Sequence, residues 1–291
     1  MENLSSIKNY LDTKLQKKIR LMPSIFVAGF QKCGTTSLSD YLSQTKSLFP
    51  GKVKEKNNLS YEKLDLADYL KNFPFKQIGK KTFCGSHQLT YFPKGLSRLA
   101  QLAPNAKIIL VMRNPVDRAY SMYQHNCRHS DDHKKSFSDW INIELDIISS
   151  IRNIEDIEEI FEKTKWRNRP EGSWNMTYKL STGMNITRGI YYNYIRIIKD
   201  LGFNFYPIFI ENIKNDFYSE MGLLLDFLEV DSGELDLINP NESNLGGYKE
   251  RMSNDIRNIL EEFYEPHNEK LFRLLNMNNP WKSTKSIHNN T

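Results

Sequence analysis

Residues 29–37 combine the residue types that bind a phosphate group. Gly29 and Gly34 bracket a short stretch that contains Lys32, and three hydroxyl side chains follow at positions 35–37. The backbone N–H groups of such a loop can approach an anion closely, and lysine and hydroxyl groups supply further donors. The spacing therefore predicts an anion-binding loop of the P-loop type. A glycine-rich turn that only joins two elements is the alternative.

The flanking residues predict the elements that hold this loop. Residues 25–28 form a short apolar run that ends at Gly29, which predicts a buried strand. Leu38 and Leu42 then recur at helical spacing. A nucleotide kinase would carry Lys-Ser/Thr directly after the second glycine, whereas two threonines follow Gly34 here. The loop thus suits a phosphate better than it suits magnesium-bound ATP.

A second group of residues predicts another phosphate contact. Residues 106–112 indicate a buried strand, Arg113 follows its end, and Ser121 lies further along the next predicted helix. An arginine offers a planar fork of donors that matches a phosphate, and a serine adds one more donor. A surface arginine paired to Asp117 is the alternative.

Together these motifs resemble those of the PAPS-dependent sulfotransferases, where PAPS is 3′-phosphoadenosine 5′-phosphosulfate. The run 30–38, Phe-Gln-Lys-Cys-Gly-Thr-Thr-Ser-Leu, resembles the 5′-phosphosulfate loop of that family. Its Gln-Lys form is most similar to the heparan sulfate N-sulfotransferase and carbohydrate sulfotransferase branch. The segment from Arg113 to Ser121 resembles the family's 3′-phosphate motif. The resemblance spans residues 23–282 and implies PAPS as donor and PAP as product.

The resemblance also implies which residues contact the cofactor. Lys32 matches the family lysine that contacts the 5′-phosphate and the bridging oxygen. Residues 241–251 form a basic loop with glycines, where family members close over the adenosine phosphates. The implied cofactor-binding residues are Gln31, Lys32, Cys33, Gly34, Thr35, Thr36, Ser37, Arg113, Ser121, Tyr191, Lys249 and Arg251.

Two residues compete for the role of catalytic base. Glu55 lies within residues 46–62, a polar stretch that predicts a loop, and it matches the position of the family's catalytic glutamate. His87 stands where the family has a lysine that helps to hold the sulfate, and Ser86 replaces the glutamate before it. A histidine can act as a donor or as a base. The base is therefore Glu55 or a histidine, unless the charges around Glu55 are only a solvated run.

His125 and His129 are four residues apart, so they share one face of a predicted helix. This spacing can bind zinc, but the sequence offers no evident third ligand. The N-sulfotransferase branch has a similar Tyr-Gln-His-x-x-x-His arrangement beside its acceptor site. The resemblance therefore implies that both histidines, with His87, bind the acceptor, and that His125 is a further catalytic candidate. A solvated helix face is the alternative.

Composition bounds the class of protein. The chain has 291 residues, a net charge of +5 and three scattered cysteines. This charge suits an anionic cofactor and is too small to argue for nucleic acid, and no motif requires a metal. No apolar run approaches the ~20 residues of a membrane span, and residues 1–22 predict a lysine-rich amphipathic helix. We expect a cytoplasmic enzyme in a reducing compartment.

The alternation of predicted strands and helices indicates a three-layer α/β domain of P-loop-like type, with a central, mostly parallel sheet. We expect this domain over residues 23–282, after the helix at 1–22 and before a tail at 283–291. Residues 130–187 match the family least, and we expect them to form a helical insertion at the acceptor site.

The expected reaction is the transfer of the sulfuryl group of PAPS to a hydroxyl or amine of a small molecule or sugar. A heparan-like glycan and a small natural product such as an alkaloid are the two acceptor classes. Four acidic residues within the insertion would repel a polyanionic glycan if they faced the cleft; they are Glu155, Asp156, Glu158 and Glu159. A P-loop nucleotide kinase and a non-catalytic glycan- or nucleotide-binding protein are the rival classes. The sequence predicts no oligomeric state.

Overall fold

The computed structural model of the chain describes residues 2–61, 63–129, 136–163, 185–240 and 252–282. Contacts divide the chain into two compact units, residues 1–113 with 197–247 and residues 114–196 with 248–291. In chain order, the helices and strands are α1 (Glu2–Ile19), β1 (Ile25–Val27), α2 (Thr35–Leu42), β2 (Leu48–Glu55), α3 (Leu66–Lys71), β3 (Lys81–Gly85), α4 (Pro93–Leu102), β4 (Lys107–Met112), α5 (Pro115–His129), α6 (Phe137–Ser149), α7 (Ile157–Lys163), α8 (Tyr191–Asp200), β5 (Asn204–Phe209), α9 (Ile210–Asn215), α10 (Phe217–Phe227) and α11 (Asn254–Leu275).

The first unit contains the strands of the described residues, which form one five-stranded sheet in the order β2-β3-β1-β4-β5. Every pairing in this sheet is parallel. Parallel neighbours need crossover connections, which the helices between the strands supply. The sheet confirms the predicted α/β class. The proposed boundaries at residues 22, 23, 282 and 283 stay predictions.

The central strands are apolar along their length because both faces of a parallel sheet are normally covered. In β1 the side chains of Ile25, Phe26 and Val27 are at most 1% exposed. Residues 108–112 of β4 are fully buried. Both strands were predicted from their apolar runs, and both are confirmed.

Strand β2 corrects the prediction that residues 46–62 form a loop. Leu48 to Pro50 pair with β3, and the register then shifts before Glu55 pairs with Gly85. In the shifted stretch, the backbone N–H of Val53 donates instead to the side chain of Asn72, at 2.9 Å. A proline, a glycine and an irregularity in an edge strand are common, and together they hid the alternating pattern of a strand.

The second unit has a hydrophobic core of its own, formed between α5, α6 and α11. Its buried members include Tyr120, Trp140, Ile141, Leu260 and Tyr264. Helices α6 and α7 lie within residues 130–187, for which helices were predicted. Helix α8 begins at Tyr191, after a 3₁₀ turn over Thr187–Gly189.

Helix α1 confirms the helix that was predicted near the start of the sequence. It is tied to the first unit through the Lys71 ammonium, which pairs with the Asp12 carboxylate. The backbone N–H of Leu21 donates to the carbonyl of Pro74. Among the residues that the structure describes, no helix is both long and apolar enough to cross a membrane.

Candidate active site

Four candidate residues of the first unit lie at the same edge of the parallel sheet. Glu55 ends β2, His87 follows β3, Lys32 follows β1 and Arg113 follows β4. These strands are consecutive neighbours in the sheet. Since adjacent strands lie about 4.8 Å apart, the four strand ends span about 14 Å. The sequence order 32, 55, 87, 113 thus becomes the spatial order Glu55, His87, Lys32, Arg113.

The position between β1 and β4 is a topological switch point. From β1 the chain continues to β2 on one side of the sheet, whereas from β4 it continues to β5 on the other side. In open parallel sheets, the crevice at the carboxyl ends of two such strands is the usual ligand site. Lys32 and Arg113 follow the two strands that flank this crevice.

The loop after β1 runs against β4 without any intervening side chain. The N–H of Phe30 donates to the carbonyl of Val111 at 3.0 Å. A Cβ atom at Gly29 would lie 2.0 Å from the backbone nitrogen of Val111. Glycine is therefore the residue that allows this close approach.

The tip of the loop has two residues in the left-handed backbone region. Lys32 has a φ of 68° and Gly34 a φ of 92°. A Cβ atom at Gly34 would also lie 2.9 Å from Cδ1 of Ile210. Non-glycine residues rarely adopt positive φ, and such strain concentrates at functional sites.

Helix α2 begins directly after this turn, with Gly34 as the residue before its first turn and no side-chain cap there. Its first N–H groups and its dipole are thus available to an anion. Thr36 and Ser37 are half-buried. Thr35 and Cys33 face inward, and Cys33 is fully buried, as expected for a packing residue.

Tyr91 braces the loop against the segment that follows β3. Its hydroxyl accepts a hydrogen bond from the N–H of Gln31 at 3.2 Å. Its ring meets the ring of Phe30 edge-on, with the centroids 5.8 Å apart. The N–H of Ser86 donates to the carbonyl of Val27, which ties the same segment to β1. The residues around His87 and the loop around Lys32 are therefore held together.

The two residues that competed as base are in direct contact. Nδ1 of His87 lies 2.8 Å from Oε2 of Glu55. The His87 side chain is 8% exposed and the Glu55 side chain 34% exposed. The backbone holds them together, because Glu55 pairs with Gly85 and the N–H of Lys56 donates to the carbonyl of Gly85. The sequence had identified each residue separately but not their contact.

In the second unit, Ser121 and His125 lie on α5, where Ser121 is buried and His125 half-buried. His129 ends that helix, and its side chain lies outside what the structure describes. Tyr191 begins α8 and is buried, with its ring 5.9 Å from that of Trp281. Lys249 and Arg251 lie outside the described residues.

The second unit also encloses a charged pair that sequence reasoning missed. Glu144 of α6 is 1% exposed and accepts hydrogen bonds from the N–H groups of Ile186 (2.6 Å) and Thr187 (3.3 Å). Arg118 of α5 is fully buried and donates to the carbonyl and the side-chain oxygen of Asn185. Burial raises the pKa of Glu144 to about 7. The spacing of Glu144 in the sequence could have indicated its burial. It follows Trp140 by four residues and precedes Ile148 by four, so it lies on the apolar face of the helix.

The acidic residues between α6 and α7 have local structural partners. Glu155 pairs with Lys270, and Asp156 accepts from N–H groups at the start of α7. Glu159 is mostly buried and accepts from the N–H groups of Arg152 and Asn153. These contacts give Glu155, Asp156 and Glu159 a structural role within their own unit.

A family model for the sulfotransferase domain matches residues 22–274. The chain belongs to the sulfotransferase family. This match includes both predicted phosphate motifs and confirms the resemblance drawn from them. Members of the family are enzymes that transfer sulfuryl groups.

The curated relatives are heparan-modifying enzymes. The human bifunctional heparan sulfate N-deacetylase/N-sulfotransferase 2 is 35% identical over 126 residues, which are 40% of this chain and 14% of the relative. Human bifunctional heparan sulfate N-deacetylase/N-sulfotransferase 1 is 29% identical over 153 residues, 48% of this chain and 17% of the relative. The chain therefore spans about a seventh of the first relative and about a sixth of the second.

Two solved structures share the fold. A sulfotransferase from Alicyclobacillus acidocaldarius superposes with a TM-score of 0.67 at 22% identity, covering 89% of this chain and 97% of its own. A mouse sulfotransferase complexed with PAP superposes with a TM-score of 0.50 at 14% identity, covering 87% of each chain. At these identities, the likeness concerns the fold alone.

Proposed function

We propose that the chain transfers the sulfuryl group of PAPS to a hydroxyl or amine of a small-molecule or sugar acceptor. The observation that carries the proposal is the placement of Lys32 and Arg113 after the two strands that flank the switch point. An anion-binding loop at one strand end and an arginine at the next suit a donor with two phosphate-bearing positions on one ribose.

The residues present fit such a donor. The left-handed turn at Lys32 and Gly34 offers backbone N–H groups, and α2 adds the positive end of its dipole. We assign the 5′-phosphosulfate to this loop, with Gln31 to Ser37 around it, and the 3′-phosphate to Arg113. Ser121 remains a proposed contact on the resemblance alone. When bound, PAPS supplies the activated sulfuryl group. Tyr191, Lys249 and Arg251 remain proposed contacts on the resemblance alone.

Lys32 would stabilise the negative charge that develops on the bridging oxygen as PAP leaves and the sulfuryl group passes to the acceptor. The left-handed backbone at Lys32 and Gly34 shapes the loop before the donor binds. Preorganised charge of this kind lowers the barrier because it costs no reorganisation during the reaction.

Glu55 accepts the proton of the attacking acceptor. It ends the strand beside β3, it is the more exposed member of the contact with His87, and an ionised carboxylate is a competent base. The two alternatives are His87 and His125. His125 and His129 stay proposed acceptor contacts.

The heparan-modifying relatives favour a sugar amine or hydroxyl as acceptor over a small natural product. Contacts within their own unit give three of the four acidic residues a structural role, which weakens the objection to a polyanionic sugar. A cytoplasmic location is a further proposal, which fractionation of the native host would test.

The test is an acceptor screen with sulfur-labelled PAPS. The panel contains glucosamine, an N-deacetylated heparosan oligosaccharide, p-nitrophenol and tyramine, each assayed with and without EDTA. We expect labelled product and stoichiometric PAP with at least one acceptor, and no loss of rate with EDTA. Release of label only to water, or phosphoryl transfer from ATP with magnesium, would replace this function with hydrolysis or kinase activity.

A further inference from the structure

The contact between Glu55 and His87 assigns a role to a residue that departs from the family pattern. The family resemblance places a sulfate-holding lysine at position 87, where this chain has a histidine. His87 instead directs Nδ1 at the carboxylate of Glu55, at 2.8 Å. The other ring nitrogen, Nε2, is buried and has no hydrogen-bond partner among the described residues.

The geometry selects one tautomer of a neutral ring. A lone pair on Nδ1 would face the lone pairs of the ionised Glu55 oxygen, whereas a proton on Nδ1 completes a hydrogen bond. In a neutral ring the proton therefore belongs on Nδ1.

Burial then separates the roles of the two residues. An acceptor hydroxyl or amine must come within hydrogen-bond distance of its base. The Nε2 atom of His87 is enclosed, while a third of the Glu55 side chain is exposed. Glu55 can meet an acceptor without rearrangement, and His87 contacts Glu55 from the protein side.

We propose that His87 is a positioning residue whose Nδ1–H holds the Glu55 carboxylate in the orientation that accepts the acceptor's proton. The inference rests on the proposed function, because it assumes that Glu55 is the base. His87 neither contacts the sulfuryl group nor takes the proton itself. The Tyr91 hydroxyl accepts from the N–H of Gln31, which ties the segment that contains His87 to the loop of Lys32.

Two conservative substitutions separate the nitrogens of His87. The amide nitrogen of His87→Asn occupies the place of Nδ1, because both atoms are bonded to Cγ, whereas that of His87→Gln reaches the place of Nε2. We expect His87→Asn to keep kcat within about 5-fold of wild type. We expect His87→Ala and His87→Gln to lower kcat on the order of 10²-fold, with little change in the acceptor KM, because a displaced base loses alignment.

The pH–rate profile distinguishes a positioning role of His87 from a purely structural one, because a structural role would not shift the profile. Loss of the donor destabilises the charged carboxylate, so the acidic limb of the kcat profile moves to higher pH in His87→Ala but not in His87→Asn. The matched control is His267→Asn, the same substitution at a half-buried histidine of α11. It should leave both the rate and the profile unchanged.

Nitrogen NMR of the ligand-free protein tests the tautomer without any activity. We expect His87 to show a protonated Nδ1, and Glu55→Ala to abolish the protection of that proton. An Nε2–H tautomer, or full activity in His87→Gln with none in His87→Asn, would overturn the inference and assign the base to Nε2. If wild type transferred no label from PAPS, the proposed function would fail instead, whatever the tautomer.

Discussion

The sheet edge of the first unit and the buried network of the second unit use charged residues in opposite ways. At the edge, Lys32 and Glu55 follow strands and remain partly exposed, and the backbone at Lys32 is strained. In the second unit, Glu144 and Arg118 are enclosed and bind backbone or amide groups of residues 185–187. We therefore propose that the partly exposed residues of the sheet edge act on a ligand, whereas the enclosed, hydrogen-bonded residues of the second unit hold the chain in place.

The enclosed residues of the second unit also explain how the segment before α8 is held in place. The side chains of Glu144 and Arg118 fix residues 185–187, and the Tyr264 hydroxyl donates to the carbonyl of Ile186 at 2.8 Å. A Cβ at Gly189 would lie 2.6 Å from the Tyr264 hydroxyl oxygen, so glycine is required there. The glycine at position 189 therefore has a structural explanation within its own unit.

Replacing Lys32 should give the largest effect on the sheet edge. Lys32→Ala is expected to lower kcat by about 10²–10³ with a much smaller change in PAP affinity, because its charge matters most in the transition state. Steady-state kinetics with the best acceptor of the screen would measure both. Lys199→Ala, at an exposed lysine in the last turn of α8, is the control. A raised KM with unchanged kcat would place Lys32 among ordinary binding residues.

Replacing Glu144 should change stability but not catalysis. The folded-state pKa of about 7 lies above the usual value of 4.5, so the folded state binds this proton more tightly than the unfolded state. The stability that Glu144 contributes is complete below pH 4.5 and is lost as the pH rises through 7. At 1.36 kcal/mol per pH unit, the loss is up to about 3 kcal/mol.

The measurement is urea unfolding of wild type and Glu144→Gln at several pH values from 5 to 8. The variant keeps a side-chain oxygen for the N–H groups of Ile186 and Thr187, and we expect it to lack this part of the pH dependence. Glu162→Gln, at an exposed residue of α7, is the control. Parallel stability profiles for all three proteins would contradict the buried-charge account.

The smallest expected effect comes from a partly exposed ion pair. Asp117 near the start of α5 accepts from Arg257 of α11 at 2.6 Å, and both side chains are 36% exposed. Such pairs contribute about 0.2–1 kcal/mol, so Asp117→Asn should lower the free energy of unfolding by less than about 1 kcal/mol. High salt should remove the difference. A decrease in the free energy of unfolding several times larger would mean that this ion pair stabilises the fold as strongly as the enclosed residues do.

The sequence predicted the parts of the fold in which local pattern decides structure. The run 25–28 and the glycines that follow it indicate strand and loop directly, and the structure places both as expected. The apolar run of β4 and the position of Arg113 after it were equally clear. In both places a buried strand is followed by residues whose chemistry differs sharply from that of the strand.

The remaining features depend on contacts between distant residues. Strand β2 was predicted as a loop because Pro50 and Gly51 interrupt it, and its bulge is completed by the side chain of Asn72. The contact of Glu55 with His87 joins residues from two neighbouring strand ends, which no local pattern reveals. Even so, helical spacing placed Glu144 on an apolar face, and that signal was available.

The most direct test of the account is the stabilisation of the protein by PAP without metal. At ~100 times its Kd, PAP should raise the free energy of unfolding of wild type by about 2.7 kcal/mol, equally with EDTA or magnesium. Arg113→Ala should lose most of this gain, and Arg273→Ala, at an exposed arginine of α11, should keep it. No stabilisation of wild type, or the same stabilisation in Arg113→Ala, would contradict the assignment of the sheet edge as the donor site.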